Sequence, residues 1–253
     1  MVTLDGKPLY PMRCSSTLSY ELSESERELY DATTDYLLYI YNKAQILNRT
    51  ASQLALAVFQ RRLASSTWAL LRSMERRVEK IDGIISKIEA DEITEDQLQR
   101  MEIQQEEQAR SSPELYSVPT DEAEPAEGME QDEEEENKAL GNMVASSLAD
   151  LYYERDCVLE LVKKARAVYE SGCESKFEKL RDVIESPEYA DEKLLIFTEH
   201  KDTLEYLADK IRRLLGNHDA VLTIKGGMPR DERHRAEEQF KQDKDVRVLV
   251  ATD

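Results

Sequence analysis

Across 191–253, three apolar runs alternate with two amphipathic segments, and that order leaves the C-terminal part of the chain very few folds. "KLLIF", "AVLTI" and "VRVLV" are short runs of branched and aliphatic residues, the pattern of parallel strands covered on both faces. "DTLEYLADKIRRLLGN" carries Leu204, Leu207, Ile211 and Leu214 on one helical stripe and closes on Gly216 and Asn217. "RDERHRAEEQF" is the second helix. Strand, helix, strand, helix, strand at this spacing predicts a parallel βαβαβ unit with right-handed crossovers, "KLLIF" being a buried strand. Three strands are few for a doubly wound sheet. The last one reaches Asp253, where a loop should begin, so the sheet is expected to be a part of a larger one.

The N-terminal half is helical in pattern. "TLSYEL" alternates and predicts a short strand. Ser23 followed by Glu26 is a capping box with Ser23 as N-cap. Leu29, Thr33, Tyr36, Leu37, Ile40, Ala44 and Leu47 then recur at helical spacing. A second, long helix is expected from near Ala51, with Leu71, Met74, Val78, Ile81, Ile85 and Ile88 forming a heptad seam. Such a stripe needs a partner to bury it. Leu140, Val144, Leu148, Leu151, Val158, Val162 and Ala165 supply one, so the two helices predict an antiparallel hairpin. Between them, 102–136 hold 14 acidic residues and one base, Arg110. Prolines, like charges and the scarcity of large apolar side chains make that tract a disordered acidic loop.

The formal net charge is -19, of which this tract supplies -13. The remaining -6 includes basic clusters such as "RSMERRVEKI" and "KIRRLL", so charge does not exclude a polyanionic partner. No apolar stretch is long enough for a membrane helix, and the first residues lack the features of a secretory signal. Cys14, Cys157 and Cys173 match no zinc spacing and read as free thiols, which points to a cytoplasmic chain.

Several tempting motifs fail on context. "DERH", 231–234, spells an acidic helicase box, but such a box needs its Asp at the end of a buried strand. Here Pro229 precedes it and it opens a helix, where Asp231 and Glu232 favour the helix dipole. No G-x-x-x-x-G-K-[ST] phosphate loop occurs. His200, His218 and His234 have no metal-ligand spacing, and Ser65 and Ser66 have no triad pattern. The reading therefore assigns no catalytic, cofactor-binding or metal-binding residue.

One constellation survives. Each predicted strand ends in small or polar groups: Thr198, Glu199, His200 and Lys201; then Lys225, Gly226 and Gly227; then Thr252 and Asp253. In a parallel sheet these ends share one edge, the ligand-binding edge of open α/β sheets. Hydroxyls and lysines there suit a phosphodiester backbone, and the glycines are expected to leave amide N–H groups free for phosphate oxygens. Gly226 and Gly227 also fit a plain turn.

These residues resemble superfamily-two helicases. "LIFTEH" is similar to the fourth helicase motif. "KGGMPRDER" resembles the segment in which a glycine is followed seven residues later by an arginine, here Gly226 and Arg233, and "VLVATD" resembles the opening of the fifth motif. "LSYELSESERELYDATTDYL" and "FQRRLASSTWALLRSMERR" resemble the region between the two motor lobes of SWI/SNF-like members of bacterial type, with Thr67 where that pattern leads one to expect proline. The resemblance covers roughly 1–88 and 150–253. It implies a fragment of an ATP-dependent DNA helicase or translocase, in which a first lobe binds ATP and magnesium and both lobes grip DNA. By that resemblance Thr198, Gly226, Arg233 and Thr252 face the nucleic acid, with His200, Lys201 and Gly227 beside them. Arg233 fits equally well an ion pair with acids of its own helix. Arg61 and Arg62 either touch the duplex or brace the hairpin, and bracing is favoured.

The expected organisation is a linker with a short strand (1–22), a first helical arm (23–101), the acidic disordered loop (102–137), a second arm (138–190) and a partial RecA-like second lobe (191–253). In fold class this is α/β: a partial RecA-like parallel sheet preceded by a helical hairpin. The expected partners are DNA, the first motor lobe and a protein docked on the hairpin. The alternative function is a non-enzymatic coiled-coil adaptor that binds a partner through its acidic loop.

Overall fold

A computed structural model describes residues 15–44, 59–94, 96–97, 100 and 147–252. The acidic tract, Cys14, Leu47, Leu140, Val144 and Asp253 lie outside them, as do the side chains of Ile40 and Ala44.

Helix α1 spans Glu24–Ala44 and starts as its capping box dictates. Ser23 N donates to Glu26 Oε2 at 2.8 Å, and Glu26 N donates to Ser23 Oγ at 3.3 Å. Leu29, Thr33, Tyr36 and Leu37 are buried, so the stripe read from the sequence is its inner face. "TLSYEL", by contrast, is not a strand: 15–23 have no regular structure. Alternation makes a strand only where a ladder partner is within reach. Here Leu18 and Tyr20 are left 54% and 42% exposed.

The long second helix is broken. Residues 59–65 are helical, Ser66 is extended, and α2 begins anew as Thr67–Glu89. Ser66 caps it by accepting a hydrogen bond from Ala69 N at 3.1 Å. Its partner α3, Leu148–Ser171, is capped by Ser147 and ends on Gly172 in the left-handed conformation. The two run antiparallel. Trp68 stacks on Tyr169 at one end, and Arg155 meets Asp82 at 2.7 Å towards the other. Leu71, Met74, Ile81 and Ile85 pack with Leu151, Val158, Leu161 and Ala165, and α1 adds Leu29, Tyr36 and Leu37 to the same core. Inside it, Glu154 Oε1 accepts from Arg77 Nε at 2.9 Å and from Tyr36 Oη at 3.0 Å, tying three helices through one carboxylate.

Helix α4, Ser175–Glu185, places Phe177 and Ile184 in a second core, against the sheet. Strands β1 (Leu194–Thr198), β2 (Val221–Ile224) and β3 (Val248–Thr252) are parallel, in the order β1-β3-β2. Helix α5, Lys201–Leu215, lays Leu204, Ala208 and Ile211 on Val221, Val248 and Val250. Helix α6, Arg230–Gln242, lies against β2 and buries no side chain fully. "VRVLV" is the central strand, with Val248 to Ala251 all buried. "KLLIF" is not buried on both faces. As an edge strand β1 turns Leu194 and Ile196 to the second core and leaves Leu195 and Phe197 50% and 61% exposed. Continuous apolar sequence does not separate an edge from a centre; the strand order does.

Candidate nucleic-acid interface

The strand register fixes where the polar ends meet. Thr198 pairs with Thr252 across β1 and β3, and Ile224 pairs with Ala251 across β2 and β3. The turn after β2 therefore rises beside Thr252. Lys225 O accepts from Met228 N at 3.2 Å to close that turn, and Gly227 adopts φ 66°, a conformation side chains resist. Gly226 N donates to Thr252 Oγ1 at 3.1 Å. That bond stitches two strand tips together and uses the amide that the sequence reading left for phosphate. The Thr252 hydroxyl still has its own proton to donate outward.

Around this edge, Thr198, Lys201, Gly226 and Thr252 are half-buried and Gly227 is exposed. Lys225 Nζ sits 3.8 Å from Glu205, and the Lys225 side chain is 37% exposed. Arg233 lies in the first turns of α6 and is exposed. It shares a shallow surface hollow with Met228, Arg230, Asp231, His234 and Glu237. The helix pairs His234 with Glu238, and no ion pair to Arg233 forms among the described residues. His200 differs from the rest. It is the N-cap residue of α5 and only 5% exposed, so its ring is withdrawn from the open edge.

Beside His200, the start of α5 makes contacts that the sequence pattern did not reveal. Asp202, in the first turn of α5, accepts from Arg62 Nη1 at 2.6 Å and from Arg76 Nη2 at 2.9 Å. Thr203 Oγ1 meets Ser65 Oγ at 2.7 Å and Ser66 Oγ at 2.8 Å. Arg61 Nη1 reaches Glu199 at 2.9 Å. Lys176 Nζ donates to Ala64 O at 2.9 Å, and burial lowers its pKa. Thr67 N donates to the buried Glu174 carboxylate at 2.9 Å. The helical part thus sits on the β1 end of the sheet, with Arg62 as a brace. Only the basic run "QRRLASSTWALLRSMERR" hints at this, since the partners lie more than a hundred residues away in sequence.

The segment that supplies this edge also has a family match. Residues 175–253 match the model of the helicase conserved C-terminal domain. This segment is similar to helicase C-terminal domains. No curated protein and no solved structure matches the chain. The matched span takes in α4 as well as the sheet, in keeping with Phe177 and Ile184 sharing the sheet's core. In this segment "DERH" lies in the first turns of α6, after Pro229 and Arg230, where Asp231 and Glu232 favour the helix dipole. Among the described residues no three His, Cys, Asp or Glu side chains cluster closely enough to hold a metal ion. Cys157 and Cys173 are free thiols. No helix among the described residues is long and apolar enough to cross a membrane.

Proposed function

We propose that the chain is part of a superfamily-two nucleic-acid motor of the SWI/SNF-like bacterial type, and that the carboxyl edge of its sheet grips the sugar-phosphate backbone of DNA. One observation carries this reading: three parallel strands of a segment similar to helicase C-terminal domains end side by side in Thr198, Lys225–Gly226–Gly227 and Thr252. Hydroxyl, ammonium and guanidinium donors along such an edge suit phosphate oxygens and carry no base preference. Arg233 adds a guanidinium not engaged by a carboxylate among the described residues. ATP chemistry belongs, in this proposal, to a first lobe that carries the phosphate loop, and the described helices are the interlobe element that joins it to the grip.

Binding of a fluorescein-labelled DNA duplex, and of the single strand of the same sequence, tests the grip. Thr198→Ala, Lys225→Ala and Arg233→Ala should each weaken binding. The two charge deletions should also lower the slope of log K against log salt by about 0.7 to 0.9 per lost contact. Affinity unchanged in all three variants, or insensitive to salt, refutes the reading. The 253 residues alone should release no phosphate from ATP, and DNA-stimulated turnover by the purified chain would contradict the assignment of that chemistry to another lobe. Deleting 102–136 should leave DNA binding intact, whereas an adaptor acting through its acidic loop loses its partner.

A further inference from the structure

We propose that Arg61 is an additional phosphate contact of this interface, held in reserve by Glu199 until nucleic acid displaces the carboxylate. This inference rests on the nucleic-acid reading above and specifies how that site is regulated. Glu199 follows Thr198 directly, so it stands at the β1 tip, where an acid would repel a phosphate. It does not stand alone there. Arg61 Nη1 lies 2.9 Å from Glu199 Oε1, and the two side chains are 44% and 46% exposed.

The adjacent arginine behaves differently. Arg62 is 5% exposed at the side chain and grips Asp202 at 2.6 Å, with Arg76 on the same carboxylate at 2.9 Å. Ser65 and Ser66 hold Thr203 one turn further on. Together these contacts fix the helical residues 59–65 against the start of α5. They anchor the backbone under Arg61, whose side chain remains partly exposed beside Glu199 at the strand-end edge. Bracing is already done by Arg62 and Arg76, and an exposed ion pair contributes little to stability. The Arg61–Glu199 pair is thus cheap to open. A phosphodiester offers the same planar fork two charged oxygens, and release of the counterions condensed on the nucleic acid favours the exchange. In the free protein the pair neutralises both charges. In the complex Arg61 turns to the backbone, and the interface extends from the sheet onto the helical part.

The test is a double-mutant cycle on binding of the same labelled duplex and single strand, with thermal melting as a control for folding. Glu199→Gln should tighten binding about three- to five-fold, the size expected for releasing an exposed pair. Arg61→Ala should weaken binding and reduce the salt slope by about 0.7 to 0.9. The gain from Glu199→Gln should shrink when Arg61→Ala is also present, because only general charge relief remains. A purely structural pair would shift melting and leave the salt slope unchanged. An equal gain with and without Arg61, or an unchanged slope in Arg61→Ala, overturns the inference. If Arg61→Ala has no effect while Lys225→Ala and Arg233→Ala weaken binding, this inference alone fails. If the unaltered chain binds neither probe, the nucleic-acid reading fails and takes this inference with it.

Discussion

Glu154→Gln keeps the shape of a buried side chain, removes its charge and leaves the Arg77 guanidinium, 2% exposed, facing a neutral amide. In the native chain Arg77 donates to Glu154 Oε1 from Nε at 2.9 Å and from Nη2 at 2.5 Å, and Tyr36 Oη donates to the same oxygen at 3.0 Å. Burial by itself would lower the Arg77 pKa, yet the Glu154 carboxylate outweighs it and holds the guanidinium charged. Burial and the same carboxylate push the Tyr36 phenol well above its ordinary value of 10, so it remains a donor. Removing one member of such a pair strands the other charge in the core, at a cost of about 3–5 kcal/mol. Domains of this size have roughly 5–15 kcal/mol in all, so the helical core should be close to unfolding. Tyr36→Phe removes one hydrogen bond to a charged acceptor, about 1.5–3 kcal/mol. Arg77→Met, Glu154→Leu and Tyr36→Phe combined remove both charges and the hydroxyl that depends on them, and that chain should lie near the unaltered one. Urea unfolding followed by circular dichroism and by fluorescence of the single tryptophan, Trp68, measures all three. Trp68 stacks on Tyr169 at 4.7 Å and so reports the packing of α2 on α3. A Glu154→Gln chain within about 1 kcal/mol of the parent would mean that the pair is solvated, and the reasoning from burial fails.

Two further outcomes follow from the junction between the helices and the sheet. Thr67→Pro installs a residue favoured at a first helical position, but it deletes the N–H that Glu174 accepts at 2.9 Å. The lost bond to a buried carboxylate should outweigh the entropic gain of proline, for a net loss of about 1–2 kcal/mol in the same urea assay; a stabilised variant would show that Glu174 does not depend on that donor. Glu26 accepts from Ser23 N at 2.8 Å and from Ser175 N at 2.9 Å, capping α1 and α4 at once. Burial opposes its ionisation, yet the bonds from Ser175 and Ser23 prevail and lower its pKa from the ordinary 4.5. The unfolded chain then binds the proton more readily. The stabilisation is complete above pH 4.5 and is lost as pH falls through the depressed folded value. Melting curves of the parent and Glu26→Gln should converge in acid, and a gap independent of pH refutes the coupling.

Local rules made much of this chain legible. Ser23 with Glu26 set the start of α1, Gly216 set the end of α5, and the spacing of Leu71, Met74, Ile81 and Ile85 set the buried face of α2, because capping and periodicity act over a few residues. The same short-range logic placed "DERH" at the head of a helix. It failed where the answer depends on a distant partner. "TLSYEL" alternates but found no ladder, Ser66 left a helical pattern to cap α2 and meet Thr203, and Leu195 and Phe197 are exposed because β3 inserted between β1 and β2. The candidate interface divides in the same way. Parallel pairing put Thr198, Lys225 and Thr252 on one edge, as strand periodicity required. Only the tertiary structure tied Gly226 N–H to Thr252, buried His200 and set Arg61 on Glu199. A sequence states what each residue offers over one or two turns of backbone. Which charge meets which, across more than a hundred residues, is decided by the packing that brings them within 3 Å.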